Sequence, residues 1–590
     1  MRQFFKFVLA TLVGLFLFMI LGFVLVLGIA GLVASSGDTV TIAEGSVLEI
    51  KLSQPITERS PQDPLAELGF GGVIGSQGIG LDEIKASIKK AKSDDNIKGI
   101  FLNLDLLQAG MASVEEIRNE LLDFKKSKKF VVAYSELSTE KAYYLASVAD
   151  RFYLNPQGTL EFNGLSSEVM FFKGTLEKLD LQPYIFKVGE YKSAVEPFLL
   201  DKMSDPSREQ TQSFLNSLNN FMLQKISQAR KKSFAEVKNI SDSMLVHNAD
   251  DALRLGLVTH LGYYDEATDF MKTKAGVKKD KELKLVNLGT YRKAADPEKP
   301  EGSSSNKIAV IYASGDIVTG EGGNESIGGK GMSEAIRKAR LDKNVKAVVL
   351  RINSPGGSSL ASDVIWREVM LTKKVKPIIA SMSDVAASGG YYIAMACDTI
   401  VAHPTTITGS IGVFGMLVNS ENFLKNKLGI TTDRVNTGKF SDIPTVTRAM
   451  TPYEKMHIQR EVDRIYEDFT TKAAQSRNMP VAELKKVASG RVWSGLEAKE
   501  RGLVDVLGSL EDAIAIAARK AKLKEGDYRL RQLPVQKSFM QTLLSDTETQ
   551  LKTYSMQKEL GPLFPYYQQY KQVMQMQGVQ ARMPFELEIQ

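Results

Sequence analysis

Apolar positions along this chain fall into three kinds of run, and each predicts a different element. The first covers residues 7–33, which are 27 positions without one charged side chain, preceded by Arg2 and Lys6. As a helix this run is about 40 Å long, enough to cross a bilayer with some tilt. It exceeds the apolar core of a cleavable signal, so it predicts a retained anchor, although the small residues of "VASSG" offer a cleavage site. Arg2 and Lys6 assign the N-terminus to the cytoplasm and everything after residue 33 to the far side. The second kind is short and rich in β-branched residues, as in "VKAVVLRI" and "KPIIASM". Such runs predict strands buried on both faces. In the third kind, "LASDVIWREVMLTKK" and "SGGYYIAMAC", the apolar positions have helical spacing. Alternation of the last two predicts an α/β fold with parallel sheets and crossover helices.

The alternation occurs twice. "KKAKSDDNIKGIFLNL" from residue 89 parallels "RKARLDKNVKAVVLRI" from residue 337, and "YYLASVAD" from 143 parallels "YYIAMACD" from 391, both at an offset of 248. Further on the offset contracts to 246, around Gly256 and Gly502. A repeat of this length is a duplicated domain, far longer than a solenoid unit. The predicted organisation is a cytoplasmic start (1–6), an anchor (7–33), a first repeat (45–293) and a linker (294–306). A second repeat (307–525) and a tail of unassigned role (526–590) follow. The linker contains "DPEKPEGSSSN", low in apolar residues and rich in breakers.

Composition narrows the function classes. With 43% hydrophobic and 24% charged residues, the 590-residue chain is globular. Its net charge of +6 is spread among both signs, which argues against a nucleic-acid surface. The single cysteine, Cys397, excludes an intramolecular disulfide and sits in an apolar run typical of an inert buried thiol. No motif calls for a metal or a cofactor.

Candidate chemistry comes from comparing the repeats. In "TTITGSIGVFG", Ser410 stands where a β-type run meets a glycine-punctuated turn, and the first repeat has Phe162 there. "SPGGS", residues 354–358, faces "LLQAG" in the first repeat. The first copy has thus lost a candidate nucleophile and a glycine pair. It has instead Lys192, in "KVGEYKSAVEPF", where the second copy has Phe440. A register shift of one would put Lys439 at that position. A serine nucleophile needs a base, and a lysine of ordinary pKa ~10.4 serves only if kept neutral, by desolvation or by cationic neighbours, against roughly 4 kcal/mol at pH 7. Apolar neighbours after Lys192 suit that, whereas Glu196 would oppose it if close. Gly356 and Gly357 are candidate oxyanion donors, because bare backbone lets N–H groups approach a carbonyl, joined by an N–H of the Ser410 turn. Gly389 and Gly390 read as a close helix-packing contact, and Trp493 as a core or interface residue.

In this order, "YKSAVEPF", "SPGGS", "ASGGYYIA", "TGSIGVFG" and "GRVWSGLEAKERGLVD" resemble the long, two-domain form of the signal peptide peptidase A family, also called protease IV. The resemblance runs from the anchor to about residue 525. It implies tandem Clp/crotonase-like domains and a serine–lysine dyad, with Ser410 as nucleophile and Lys192 as base. It further implies hydrophobic peptide substrates such as cleaved signal peptides, a homotetramer around a central chamber, and a place on the outer side of a bacterial inner membrane. Two rivals remain on the residues alone. One is a crotonase-like acyl-CoA enzyme, which an extracytoplasmic position disfavours. The other is a non-catalytic membrane scaffold, which the retention of Ser410 and Lys192 disfavours.

Overall fold

In the computed structural model, the described residues are 2–35, 40–60, 78–104, 106–278, 280–295, 304–323, 326–535 and 579–583. Residues Arg2–Ser35 form one helix of 34 residues. Side chains are described without a break only over 9–22 of it. Among the described residues no helix is long and apolar enough to cross a membrane. Part of the expected span over 7–33 has side chains outside those described, and the centre of the expected linker lies outside the described residues.

Each repeat builds a parallel sheet, as the alternating pattern predicts. Among the described residues the first sheet runs in the order His260–Leu261, Arg151–Leu160, Phe130–Ser138, Ile97–Asn103, Ser46–Lys51, Leu285–Asn287, and all its pairings are parallel. The second centres on Ile378–Ala387, Val345–Ser354 and Lys307–Ser314. Both sheets are covered on both faces, so Val, Ile and Leu of successive strand positions are buried rather than alternating with polar residues. The second sheet does not stop at residue 525, because Arg529–Leu533 pairs with Lys307–Ser314 as its edge strand.

Duplication shows in individual hydrogen bonds. Tyr143 donates to the Leu257 carbonyl at 2.9 Å, and Tyr391, its counterpart, donates to the Leu503 carbonyl at 3.0 Å. Lys129 caps the carbonyls of Ala91 and Asp94, and Lys376 those of Ala339 and Asp342.

Two features join the repeats. A third sheet takes Gln182–Val188 from the first repeat and pairs it antiparallel with Val413–Asn419 of the second, residue 188 against 413. A buried ionic cluster also crosses the boundary. Arg351, fully buried, donates through Nε to Glu58 at 2.8 Å and through Nη2 to Glu116 at 2.8 Å and Ser383 at 2.9 Å, while Nη1 donates to Ser381 at 3.1 Å. Glu116 in turn contacts Lys85 and His403. Burial alone would push the Glu116 carboxyl up, but Arg351 and Lys85 beside it hold it well below the usual carboxylate range. Because Glu58 and Glu116 come from the first repeat and Arg351 from the second, this cluster fixes how the repeats sit on each other.

Candidate active site

Antiparallel pairing across the repeats delivers Lys192 to the second one. The strand Gln182–Val188 ends at Gly189, whose left-handed φ of 101° brings the chain against Ser489; a Cβ on Gly189 would lie 2.3 Å from the Ser489 carbonyl. Tyr191 then donates its N–H to that carbonyl at 3.1 Å. Gln210, completely buried, fastens the same loop: its amide donates to the Tyr191 carbonyl and to Ser193 Oγ, both at 2.9 Å, and accepts from Val492 N–H at 3.0 Å. Lys192 itself is fully buried. Glycine makes room for it, since a Cβ on Gly490 would lie 2.7 Å from the Lys192 backbone nitrogen and one on Gly412 would lie 3.2 Å from its Cδ. "GRVWSG" is thus the wall behind the lysine, with Trp493 buried in the core.

Among the described residues Lys192 Nζ has three oxygen neighbours, from two serines: Ser388 Oγ at 2.9 Å, Ser410 Oγ at 3.0 Å and the Ser410 carbonyl at 3.2 Å. No carboxylate is among them. Glu196, the residue expected to oppose a neutral lysine, faces away and accepts from Ser204 N–H at 3.1 Å and Ser204 Oγ at 2.6 Å. Burial therefore acts unopposed and pushes the Lys192 ammonium well below the usual lysine range.

The two serines differ in kind. Ser410 follows the short strand Ile407–Gly409; its N–H donates to the Arg491 carbonyl at 2.7 Å, and both its oxygens contact Lys192. That N–H is therefore not free to serve as the oxyanion donor expected from this turn. Ser388 stands between the strand Ile378–Ala387 and the helix Gly389–Ala394 with φ 54° and ψ −110°, and its side chain does not cap the helix. Both serines have left-handed φ, 54° and 49°, but only Ser388 stands on a sharp strand-to-helix turn, the arrangement that presents a nucleophilic hydroxyl. Reasoning from the sequence missed Ser388, because "SGGYY" was assigned to helix packing. Gly390 does pack closely, a Cβ there lying 2.6 Å from the Ser354 carbonyl.

Gly356 and Gly357 form the short strand Gly356–Ser358 beside this turn, with φ 102° and 150°. A Cβ on Gly356 would lie 2.7 Å from Gly389 N, so the glycine strand and the residue after Ser388 are in direct contact. The N–H of Gly356 donates to Ser354 Oγ at 3.1 Å. The four residues expected from the sequence thus lie around one turn, with Ser388 at its centre. Cys397 is buried and far up from the usual thiol range through burial, an inert thiol.

The sequence profile of peptidase family S49 matches residues 123–278 and 370–524, once in each repeat. Protease 4 of Haemophilus influenzae is 34% identical over 560 residues, covering 90% of this chain and 88% of its own. The chloroplastic serine protease SPPA of Arabidopsis thaliana is 36% identical over 453 residues, 76% of this chain and 67% of its own. Among solved structures a ClpP1 mutant from Listeria monocytogenes, 16% identical, covers 35% of this chain and 94% of its own at a TM-score of 0.24. At that score the Clp-like part of the expected fold rests on the motif resemblance alone.

Proposed function

For a chain that belongs to peptidase family S49, and so is a serine peptidase, we propose that Ser388 is the nucleophile, Lys192 its general base, and Ser410 the residue that holds the lysine. The observation that carries this reading is the set of contacts around Lys192 Nζ. A neutral amine has two N–H donors and one lone pair. In this reading the two donors go to Ser410, through its hydroxyl and carbonyl oxygens, and the lone pair takes the proton of the Ser388 hydroxyl, 2.9 Å away, once that hydroxyl turns from the Gly412 carbonyl at 3.3 Å. Attack of Ser388 Oγ on a peptide carbonyl sends its proton to Lys192 Nζ. The resulting ammonium returns that proton to the leaving amine, and water then hydrolyses the ester by the same route in reverse. The Gly389 N–H and the backbone of Gly357 are the donors proposed for the oxyanion, since the glycine strand lies against the residue that follows Ser388, whereas the Gly356 N–H is already given to Ser354 Oγ.

Hydrophobic peptides, cleaved signal peptides among them, are the substrates we propose, on the strength of the motif resemblance. An N-terminal anchor is part of the same reading. It is supported by the helix Arg2–Ser35 and by Phe7, Leu9, Phe16 and Phe18, which no described residue covers. Placement outside a bacterial inner membrane and assembly as a homotetramer follow from the resemblance and are proposed with it.

Labelling with a fluorophosphonate followed by peptide mapping tests the choice of serine. The adduct is expected on Ser388, to vanish in Ser388→Ala and to persist, more slowly formed, in Ser410→Ala. An adduct on Ser410 would reverse the assignment, and no adduct at all would favour the acyl-CoA or scaffold alternatives.

A further inference from the structure

The groove beside Ser388 is not open: a strand from the far end of the chain lies in it. Val579–Arg582 pairs antiparallel with the glycine strand, with Gly356 facing Arg582, Gly357 facing Ala581 and Ser358 facing Gln580. On its other edge it pairs antiparallel with Val413–Asn419, with Phe414 facing Gln580 and Gly415 facing Val579. Adjacent strands lie about 4.8 Å apart. Without this strand the third sheet would fall into two pieces, and the gap between them would be one strand wide with an unpaired edge on each side. Such a slot accepts an extended peptide by strand addition.

Side chains and backbone of the tail use the slot closely. Ala581 is 1% exposed, and its carbonyl sits where a Cβ on Gly356 would be 2.1 Å away and one on Gly389 would be 3.0 Å away. Its carbonyl therefore points at the residue next to Ser388. Met583 donates its N–H to the Pro355 carbonyl at 2.6 Å and buries its side chain among Phe214, Leu218, Ile407 and Val492. Arg582 pairs with Asp316 at 2.9 Å. A small residue, a basic residue and an apolar residue thus each have a matching place, drawn from both repeats.

We propose that residues 579–583 are a built-in occupant of the peptide-binding slot, which substrates must displace before they reach Ser388. This rests on the reading of the Ser388 turn as the catalytic site. A tethered strand competes at a high effective concentration, so its release appears as tighter binding of outside peptides rather than faster chemistry. Two full-chain variants release it differently. Ala581→Pro removes a ladder N–H and clashes in the slot. Arg582→Glu puts a carboxylate against Asp316, and adding Asp316→Arg restores an ion pair of reversed polarity. The probe is the fluorescein-labelled peptide QGVQARMPF, the sequence of residues 577–585, read by fluorescence polarisation on Ser388→Ala chains so that no turnover interferes.

Both releasing variants should bind the probe about tenfold tighter than the parent, and Asp316→Arg combined with Arg582→Glu should return most of the way. On active chains the same substitutions should lower KM for a hydrophobic fluorogenic peptide about tenfold and leave kcat unchanged. A misfolded variant cannot gain affinity, so the gain is informative by itself. Equal probe affinity in parent and both variants would overturn the proposal while leaving the peptidase reading intact. A tighter-binding probe on chains that hydrolyse no peptide would keep the tail in the slot and remove the proposed chemistry.

Discussion

At the position of Ser388 in the second repeat, the first repeat has Glu140, 248 residues earlier. At the position of Ser410 it has Phe162, and at the position of its own Lys192 the second repeat has Phe440. The replacements differ in what they do. Phe162 is buried and meets Tyr143 edge-on at 5.5 Å, so the first repeat has turned its former turn into core. Phe440 is 38% exposed and stacks on Tyr453 at 5.0 Å, away from the buried lysine site. On the proposed reading the duplicated domain has kept one site by dividing it, with the serines in one repeat and the lysine in the other, and Phe162 fills the first repeat's counterpart of the Ser410 turn. The price of that division is an interface that must be held rigidly, which the Arg351 cluster and the shared sheet provide.

Removing the lysine is the severest way to break the division. Lys192→Ala should lower kcat/KM by roughly a hundredfold to ten-thousandfold, the range for loss of a positioned base. Lys192→Arg should be equally inactive, because a guanidinium stays protonated and cannot accept the Ser388 proton. Ser410→Ala, which costs Lys192 only one of its contacts, should lose about ten- to a hundredfold. The wild-type rate should climb with pH along a limb set below the usual lysine range, since burial favours the neutral amine. Lys439→Ala is the contrasting substitution. Lys439 adjoins exposed Phe440 with its ammonium 5.3 Å from that ring, and a rate within twofold of wild type is expected, as for surface changes far from the site. A collapse of activity in Lys439→Ala with Lys192→Ala still working would mean that the second repeat carries its own base.

Loosening the interface should come next in size. Glu116→Ala leaves the Arg351 guanidinium buried beside Glu58 alone and Lys85 with Glu511 alone, and breaking such a buried cluster costs about 3–5 kcal/mol. Thermal unfolding should shift down accordingly. The pH dependence follows from the depressed carboxyl. Its stabilisation is complete above the unfolded carboxylate pKa of ~4.3 and fades as acid protonates the folded form. A Glu116→Gln chain should therefore lose less on acidification than wild type. Equal acid sensitivity in the two would show that the ionic form of Glu116 is not what holds the repeats.

Much of this was legible in the sequence because it is periodic or repeated. Strand and helix runs gave the parallel sheets, and the constant offset aligned Lys192 with a position where the second copy has no lysine. Ser388 was missed although its signal was present. A β-branched run, then a serine before "GG", then an aromatic helical run is the pattern of a strand-to-helix turn of the kind that can present a nucleophile, and the glycines were read only as packing residues. The 248-residue offset, applied one motif earlier, would also have exposed Glu140. The tail strand was not legible. Its few residues have no period to detect, and its partners at Gly356 and Phe414 lie more than 160 residues away in the chain. Pairing of Gln182–Val188 with Val413–Asn419 was hidden for the same reason.

The smallest effect concerns the vacated site itself. Glu140 accepts a hydrogen bond from Gly164 N–H at 2.9 Å, its second oxygen is buried with no close hydrogen-bond partner among the described residues, and burial, opposed by the backbone N–H groups of Gly164 and Asn163, pushes its carboxyl up to about 7. Below about pH 4.5 the folded and unfolded chains both hold the proton, and the group contributes nothing to pH dependence. Between that pH and about 7 the unfolded chain releases the proton first, so stability falls as pH rises, by up to about 3 kcal/mol at the plateau. Glu140→Gln keeps the shape and an acceptor for Gly164 while removing the charge. It should melt higher than wild type above pH 7, with a gap that closes towards pH 4.5, and its peptidase kcat should be unchanged. A gap independent of pH would mean that Glu140 is ionised and satisfied in the folded chain. The contrast with Ser388 would then lose its physical basis, which is that a hydroxyl in this buried turn is neutral at every working pH whereas a carboxylate there is not.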